Sequence, residues 1–170
     1  MGGDRSEVLA REVAREFRRR MLDDYVARIG ECVALLSEEE VWRRPSPRSN
    51  SIGNLLRHLE GNVRQWILAG VAGRPDVRDR DGEFAATGVS ESRSPDELLA
   101  ALRSTVTEAV EVVEQLGADE LLATKRYQDL YDETGLGAVL HVMEHFSGHA
   151  GQIYAFTKAL KDVDLRFYDL

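Results

Sequence analysis

The sequence predicts an all-α protein: a four-helix bundle with one short extra helix and a long crossover loop. Three observations support this. Apolar residues recur every three or four positions across four long stretches, as one face of a helix requires. Ser-x-x-Glu capping signatures open helices at Ser37 and Ser94. No stretch alternates apolar and polar residues as a half-buried strand does. At 170 residues the chain is expected to form one domain over 1–170, long enough to bury a real core.

The first helix is marked by Leu9, Val13, Phe17, Met21, Tyr25, Ile29, Cys32 and Leu36, a continuous stripe at helical spacing. A short helix follows from Ser37, with Glu40 closing its capping box, and Pro45 and Pro47 stop it. The second long helix spans about Ser51 to Ala72, with Ile52, Leu55, Leu59, Val63 and Trp66 inward. The polar segment 73–94 is longer than the ~12–15 residues usual for a structureless loop, and such length commonly accompanies a function. The third long helix opens with Ser94 as cap, Pro95 in the first turn and Glu97 closing the box, and Gly117 is expected to end it. A polar link, 118–134, leads to the last helix, from about Gly135 to Lys161, and an irregular tail over 162–170.

Composition excludes several function classes. Hydrophobic residues make up 43 % and charged residues 31 %, as in ordinary globular proteins. The formal net charge of −8 argues against nucleic acid as a partner, which needs a concentrated basic face. The one basic cluster, REFRRR at 15–20, is flanked by acidic residues and reads as a solvated helix face. No apolar run reaches the roughly 20 residues of a bilayer span, and the start has no apolar signal core, so neither membrane nor secretion is expected. The single cysteine, Cys32, fits a reducing cytoplasm and falls on the first helix's apolar stripe, where it reads as packing rather than as a nucleophile.

The chemistry lies in four histidines. Three stand at intervals of four, His141, His145 and His149, in HVMEHFSGH; the fourth, His58, lies in SIGNLLRHLEGN. At ~100° per residue, Ala138, Val142, His145, His149, Phe156 and Leu160 share one stripe, and His141 lies about 40° to the side. Imidazoles four apart have Cβ atoms roughly 5–6 Å from each other and can converge on one ion. A helix supplies two such ligands comfortably, so a third must come from elsewhere. His58, on the shoulder of the second helix's stripe, is the candidate; alone it reads as a hydrogen-bonded core-edge histidine. His58, His145 and His149 are therefore the expected metal ligands, with one or more positions left for water or substrate. Asn62 and Gln152 are candidates for orienting the rings or the substrate. A zincin protease is excluded because Phe146, not glutamate, follows His145. The chain also lacks the G-x-S-x-G of a serine hydrolase.

The pairing of SIGNLLRHLEGN (51–62) with HFSGHAGQI (145–153) resembles the DinB/YfiT-like superfamily of bacterial four-helix-bundle proteins. Their pattern has a histidine on the second long helix and an H-x-x-x-H followed by G-Q-I on the last. The loop RDRDGEF (78–84) is similar to a branch known only as a domain of unknown function. The resemblance places the metal ligands at His58, His145 and His149 and leaves His141 beside them. It implies a divalent ion, zinc or nickel, a small-molecule substrate such as a low-molecular-weight thiol, and a homodimer. Two activities follow as expectations: a thiol S-transferase, or a hydrolase in which the ion activates water. The rival expectation is a non-catalytic, stress-related binding or assembly protein with a structural ion or none. This chain departs from many relatives in having Gly148 and Ala150 beside the last histidine, which leaves the substrate open.

Overall fold

The computed structural model describes residues 5–167 and is mostly helical. The first long helix runs Arg5–Arg18, continues through a π-helical stretch, Arg19–Val26, and finishes as Ala27–Ala34. Phe17, Met21, Ile29 and Cys32 of its predicted stripe are fully buried, whereas Leu9, near the outer end, is 64 % exposed. The short helix Glu38–Trp42 has both bonds of the predicted box: Glu40 N–H donates to Ser37 Oγ, and Ser37 N–H donates to Glu40 Oε2. The second long helix is Ile52–Val63 continued by the π-helical Arg64–Val71. Ser51 caps it, with Asn54 rather than an acid as the reciprocal partner. The third is Pro95–Glu114, capped by Ser94 and Glu97 as the sequence predicts. The last is Gly135–Lys161, capped by the Thr134 hydroxyl and ended by Asp162 in the left-handed region at φ 51°.

Three expectations need correction. Gly117 does not end the third helix in a left-handed turn; its φ is −82°, and it opens a short helix, Ala118–Leu122. The link 118–134 also carries a two-stranded antiparallel hairpin, β1 Thr124–Tyr127 and β2 Tyr131–Thr134, although no alternation announces it. Gln128 and Asp129 turn it, both with positive φ (54° and 56°), and Leu130 N–H donates to the Tyr127 carbonyl to close the turn. Segment 73–94 is not structureless: Asp79 caps a short helix, Arg80–Ala85, packed on the second long helix. Residues 162–167 have no regular structure, and 168–170 of the predicted tail lie outside the described residues.

The first long helix packs against the third and the fourth, and the second long helix packs against the same two. The space between them is one contiguous apolar core that includes Phe17, Leu55, Leu102, Val106, Val142 and Phe146. Each such side chain gains ~1.5–3 kcal/mol from leaving water, which is what holds the long helices side by side. For function, the important contact is between the second and last helices, because it carries His58 to the histidines of the H-x-x-x-H. No helix among the described residues is long and apolar enough to cross a membrane.

Candidate metal centre

The last helix buries a stripe one position on from the predicted one. Ala138 and Val142 are buried as predicted, but from there the buried stripe passes through Phe146, Ala150, Ile153 and Thr157. His145 and His149 therefore sit on the shoulder of the core, partly buried, and open toward a cleft. His58, predicted on a shoulder, is the buried one at 4 % exposure. The two helices thus exchange the roles the periodicity assigns them, because the second helix is covered on its far side by the segment around Arg80–Ala85.

The structure brings His58, His145 and His149 together. One ligand-capable atom from each lies within 4.8 Å of the others. The ring centroids are 4.9 Å apart for His58 and His145, 4.9 Å for His58 and His149, and 4.6 Å for His145 and His149. Nε2 of His58 and Nε2 of His145 face each other at 2.9 Å. His141 is not in the cluster. Its ring lies 4.1 Å from Trp66 and 5.7 Å from His145, one turn toward the hairpin.

Behind His58 stands a charged pair that sequence reasoning missed. Nδ1 of His58 is 2.9 Å from Glu83 Oε2, and Arg78 donates to both Glu83 oxygens, from Nε at 2.7 Å and from Nη2 at 2.8 Å. Burial alone would raise the Glu83 pKa, but the hydrogen bonds from Arg78 and His58 and the Arg78 charge outweigh it and hold the carboxyl below its usual range. Glu83 is thus an ionised acceptor, so His58 carries its proton on Nδ1 and donates it to Oε2. Arg78 Nη2 also lies 3.0 Å from Nδ1, but both are donors, and its proton goes to the carboxylate. The lone pair on His58 Nε2 is left aimed at the cluster.

Three local features build this brace. Asn54 Nδ2 donates to the carbonyls of Glu83 (3.0 Å) and Ala86 (2.9 Å), tying the short helix to the second long helix. Arg44 donates to the Phe84 carbonyl at 2.7 Å. Gly61 leaves the room: a Cβ there would collide with the Glu83 carboxylate and with Arg78 Nε. The hints in the sequence were the length of segment 73–94, an Asp79 placed to cap, and the resemblance carried by RDRDGEF (78–84), which contains both residues of the pair.

On the other side, His149 Nδ1 meets Gln152 Oε1 at 3.0 Å, so this exposed amide accepts the ring proton and leaves His149 Nε2 free. Burial is the main cause that lowers the His145 pKa, to about 3, helped by repulsion from neighbouring His149 and His58 when protonated. Burial likewise lowers His149 against the opposing bond from Gln152, and it lowers His141. At neutral pH these three rings are neutral and their nitrogens available.

This donor set fits a divalent cation. Nitrogens bound at ~2.0–2.1 Å to a tetrahedral zinc-like ion lie roughly 3.3 Å apart, between the 2.9 Å of the two Nε2 atoms and the 4.8 Å within which all three ligand atoms lie, so small ring movements suffice. A carboxylate behind a ligating histidine, fixing its tautomer, is the usual partner arrangement at such sites. A cavity of about 820 Å³ opens beside the cluster, lined by His58, His145, His141, Asn62, Trp66 and residues of the hairpin. Cys32 takes no part: it is buried, and its thiol pKa is raised chiefly by burial.

Known proteins share this fold. The fold is similar to that of a DinB-like protein from Bacillus subtilis, at a TM-score of 0.64 and 17 % identity over 90 % of this chain and 94 % of that one. A DinB-like protein from Bacillus cereus aligns at a TM-score of 0.62 and 13 % identity, over 80 % of this chain and 85 % of that one. No curated protein matches. The profile of the family described as mycothiol-S-transferase matches residues 18–156 and so takes in all four histidines. The chain belongs to the mycothiol-S-transferase family, within the DinB-like superfamily.

Proposed function

We propose that the chain is a metal-dependent thiol S-transferase in which His58, His145 and His149 hold a divalent ion, zinc or nickel, and a low-molecular-weight thiol is the nucleophile. The observation that carries this reading is the bond from His58 Nδ1 to the ionised Glu83, which turns a third imidazole lone pair toward the H-x-x-x-H pair. When bound, a zinc-like ion supplies the Lewis acidity that deprotonates a thiol, or lowers the pKa of water to about 7.

The chain's own residues do the rest. Glu83 fixes the His58 tautomer, and Arg78 keeps Glu83 ionised. Gln152 holds the His149 proton away from the cluster. Because Cys32 is buried with a raised pKa, the sulfur nucleophile has to come from outside, and the cavity beside the cluster is its way in. Water in place of the thiol is the hydrolase form of the same reading. The non-catalytic rival expects a closed site with four protein ligands; among the described residues three side chains form the cluster, which supports an open position.

The same reading takes the four long helices as a four-helix bundle forming a single domain over 1–170, with 73–94 as its crossover, in a cytoplasmic homodimer that sedimentation analysis can check. To test the function, untagged protein is assayed for bound metal and then given mycothiol and a chromogenic electrophile. About one ion per chain is expected, with adduct formation that chelation abolishes and zinc or nickel restores. Metal-free protein without activity after metal addition defeats the proposal. Product release that needs no thiol moves it to the hydrolase form.

A further inference from the structure

The cavity runs from the histidine cluster along the groove between the second and last helices to the hairpin, and its wall carries polar groups that the fold does not use. Asn62 is one turn beyond His58, only 3 % exposed, and its Oδ1 has no hydrogen-bond partner. A buried carbonyl oxygen left unpaired is costly, and native structures keep one mainly where something else completes it. Three guanidinium groups line the same cavity. Arg78 is committed to Glu83 and to Gln65 Oε1, and Arg126 to the Asp132 carboxylate and the Asp129 carbonyl. Arg80 makes no ion pair or hydrogen bond among the described residues and lies over the Phe84 ring, 5.4 Å from its centroid. Of the acidic residues on the same wall, Asp132 is paired with Arg126, and Glu133 accepts from the Thr134 N–H and keeps its charge. At the mouth, the hairpin presents Leu130 and Tyr131, 67 % and 52 % exposed, as an apolar lip.

We propose that this cavity is the subsite for the second substrate, and that it takes a small molecule with an apolar body, an N–H or O–H donor and an oxyanion. The apolar body lies against Leu130 and Tyr131, the donor meets Asn62 Oδ1, and the oxyanion, carboxylate or phosphate, meets Arg80. This assignment rests on reading the adjacent cluster as the place where a thiol meets its acceptor. It adds the chemical class of that acceptor and makes Arg80 and Asn62 its specificity determinants.

Hippurate carries all three features, methyl hippurate lacks the charge, and benzoylglycolate replaces the N–H with oxygen. Their binding to the full, untagged chain is measured by titration calorimetry. Wild type is expected to prefer hippurate to methyl hippurate by about tenfold or more, and Arg80→Gln to bind the two alike. Asn62→Leu should erase the preference for hippurate over benzoylglycolate. It should also melt no lower than wild type, because it removes an unpaired buried oxygen; a purely structural asparagine would melt lower. Phenyl phosphate run beside hippurate shows which oxyanion binds more tightly, and either order agrees with the proposal provided that Arg80→Gln weakens it. Equal wild-type binding of hippurate and its methyl ester, a preference that survives Arg80→Gln, or no saturable binding of either anion overturns it. The preference should persist in His149→Ala, so a cluster that holds no ion, or a chain that transfers no thiol, is told apart from failure here.

Discussion

His58 is 4 % exposed with an ionised carboxylate and a guanidinium behind it, whereas His149 is partly buried and has only the exposed amide of Gln152. Both contribute to one cluster, yet one is set in a buried ionic frame and the other is steadied by a neutral neighbour on its own helix. The frame around His58 couples the site to folding. Glu83 and Arg78 cannot be separated without stranding a charge, so the ring is fixed before any ligand arrives. The last-helix pair is placed by helical spacing alone, which makes it easier to rearrange around what binds.

The strongest way to break this contrast is Glu83→Ala. It leaves Arg78, whose side chain is 5 % exposed, without its partner, and removing one member of a buried pair costs ~3–5 kcal/mol. Urea unfolding should show that loss, against a change within ~0.5 kcal/mol for Gln152→Ala. His149→Ala should lower metal affinity by more than the ~10–100-fold typical of losing an outer partner, with helicity by circular dichroism near normal. Unchanged metal content would remove His149 from the site.

A third effect is pH dependence of the chelator-treated protein. The folded His145 pKa of about 3 lies below its ordinary value of 6.5, so the unfolded chain binds more protons between them. Stability is therefore full above pH 6.5 and falls as the pH drops through that window. Between pH 6.5 and 5 the loss from this ring is readable as a falling melting temperature. A flat profile would mean that His145 is not desolvated. Smaller still, Gln152→Ala should weaken metal binding by at most ~10-fold, less than the same experiment on Glu83→Gln. His141→Ala should leave metal binding nearly unchanged; a strong loss would move the pair to His141 and His145.

The helices were legible because their determinants are local. Ser37 with Glu40 and Ser94 with Glu97 close their capping boxes within one turn, and the apolar spacing marks four long elements. The proximity of His145 and His149 follows from the same spacing. Which face is buried was less legible: the deep stripe passes through Phe146 and Ala150, because what covers a helix is decided by its neighbours. The Arg78–Glu83 frame was invisible for the same reason. Its residues lie in a polar run, and only the docking of Arg80–Ala85 on the second helix gives them a partner. The hairpin was missed because Gln128–Asp129 replaces the Asn-Gly or Asp-Gly that usually marks such a turn, although Thr124, Tyr127, Tyr131 and Thr134 are good strand formers.

His58 and His145 are 87 positions apart in the chain, and among the described residues nothing nearer in sequence to His58 completes the set. During synthesis, the first imidazole must wait for about half the polypeptide to emerge and the final helix to dock before the three rings can meet. On the proposed metal-dependent reading, loading is then a late event that reports on finished assembly, unlike a zinc finger, whose ligands lie within one short segment. Chains released before residue 135 should therefore bind no zinc in a translation-coupled assay, while the complete chain does.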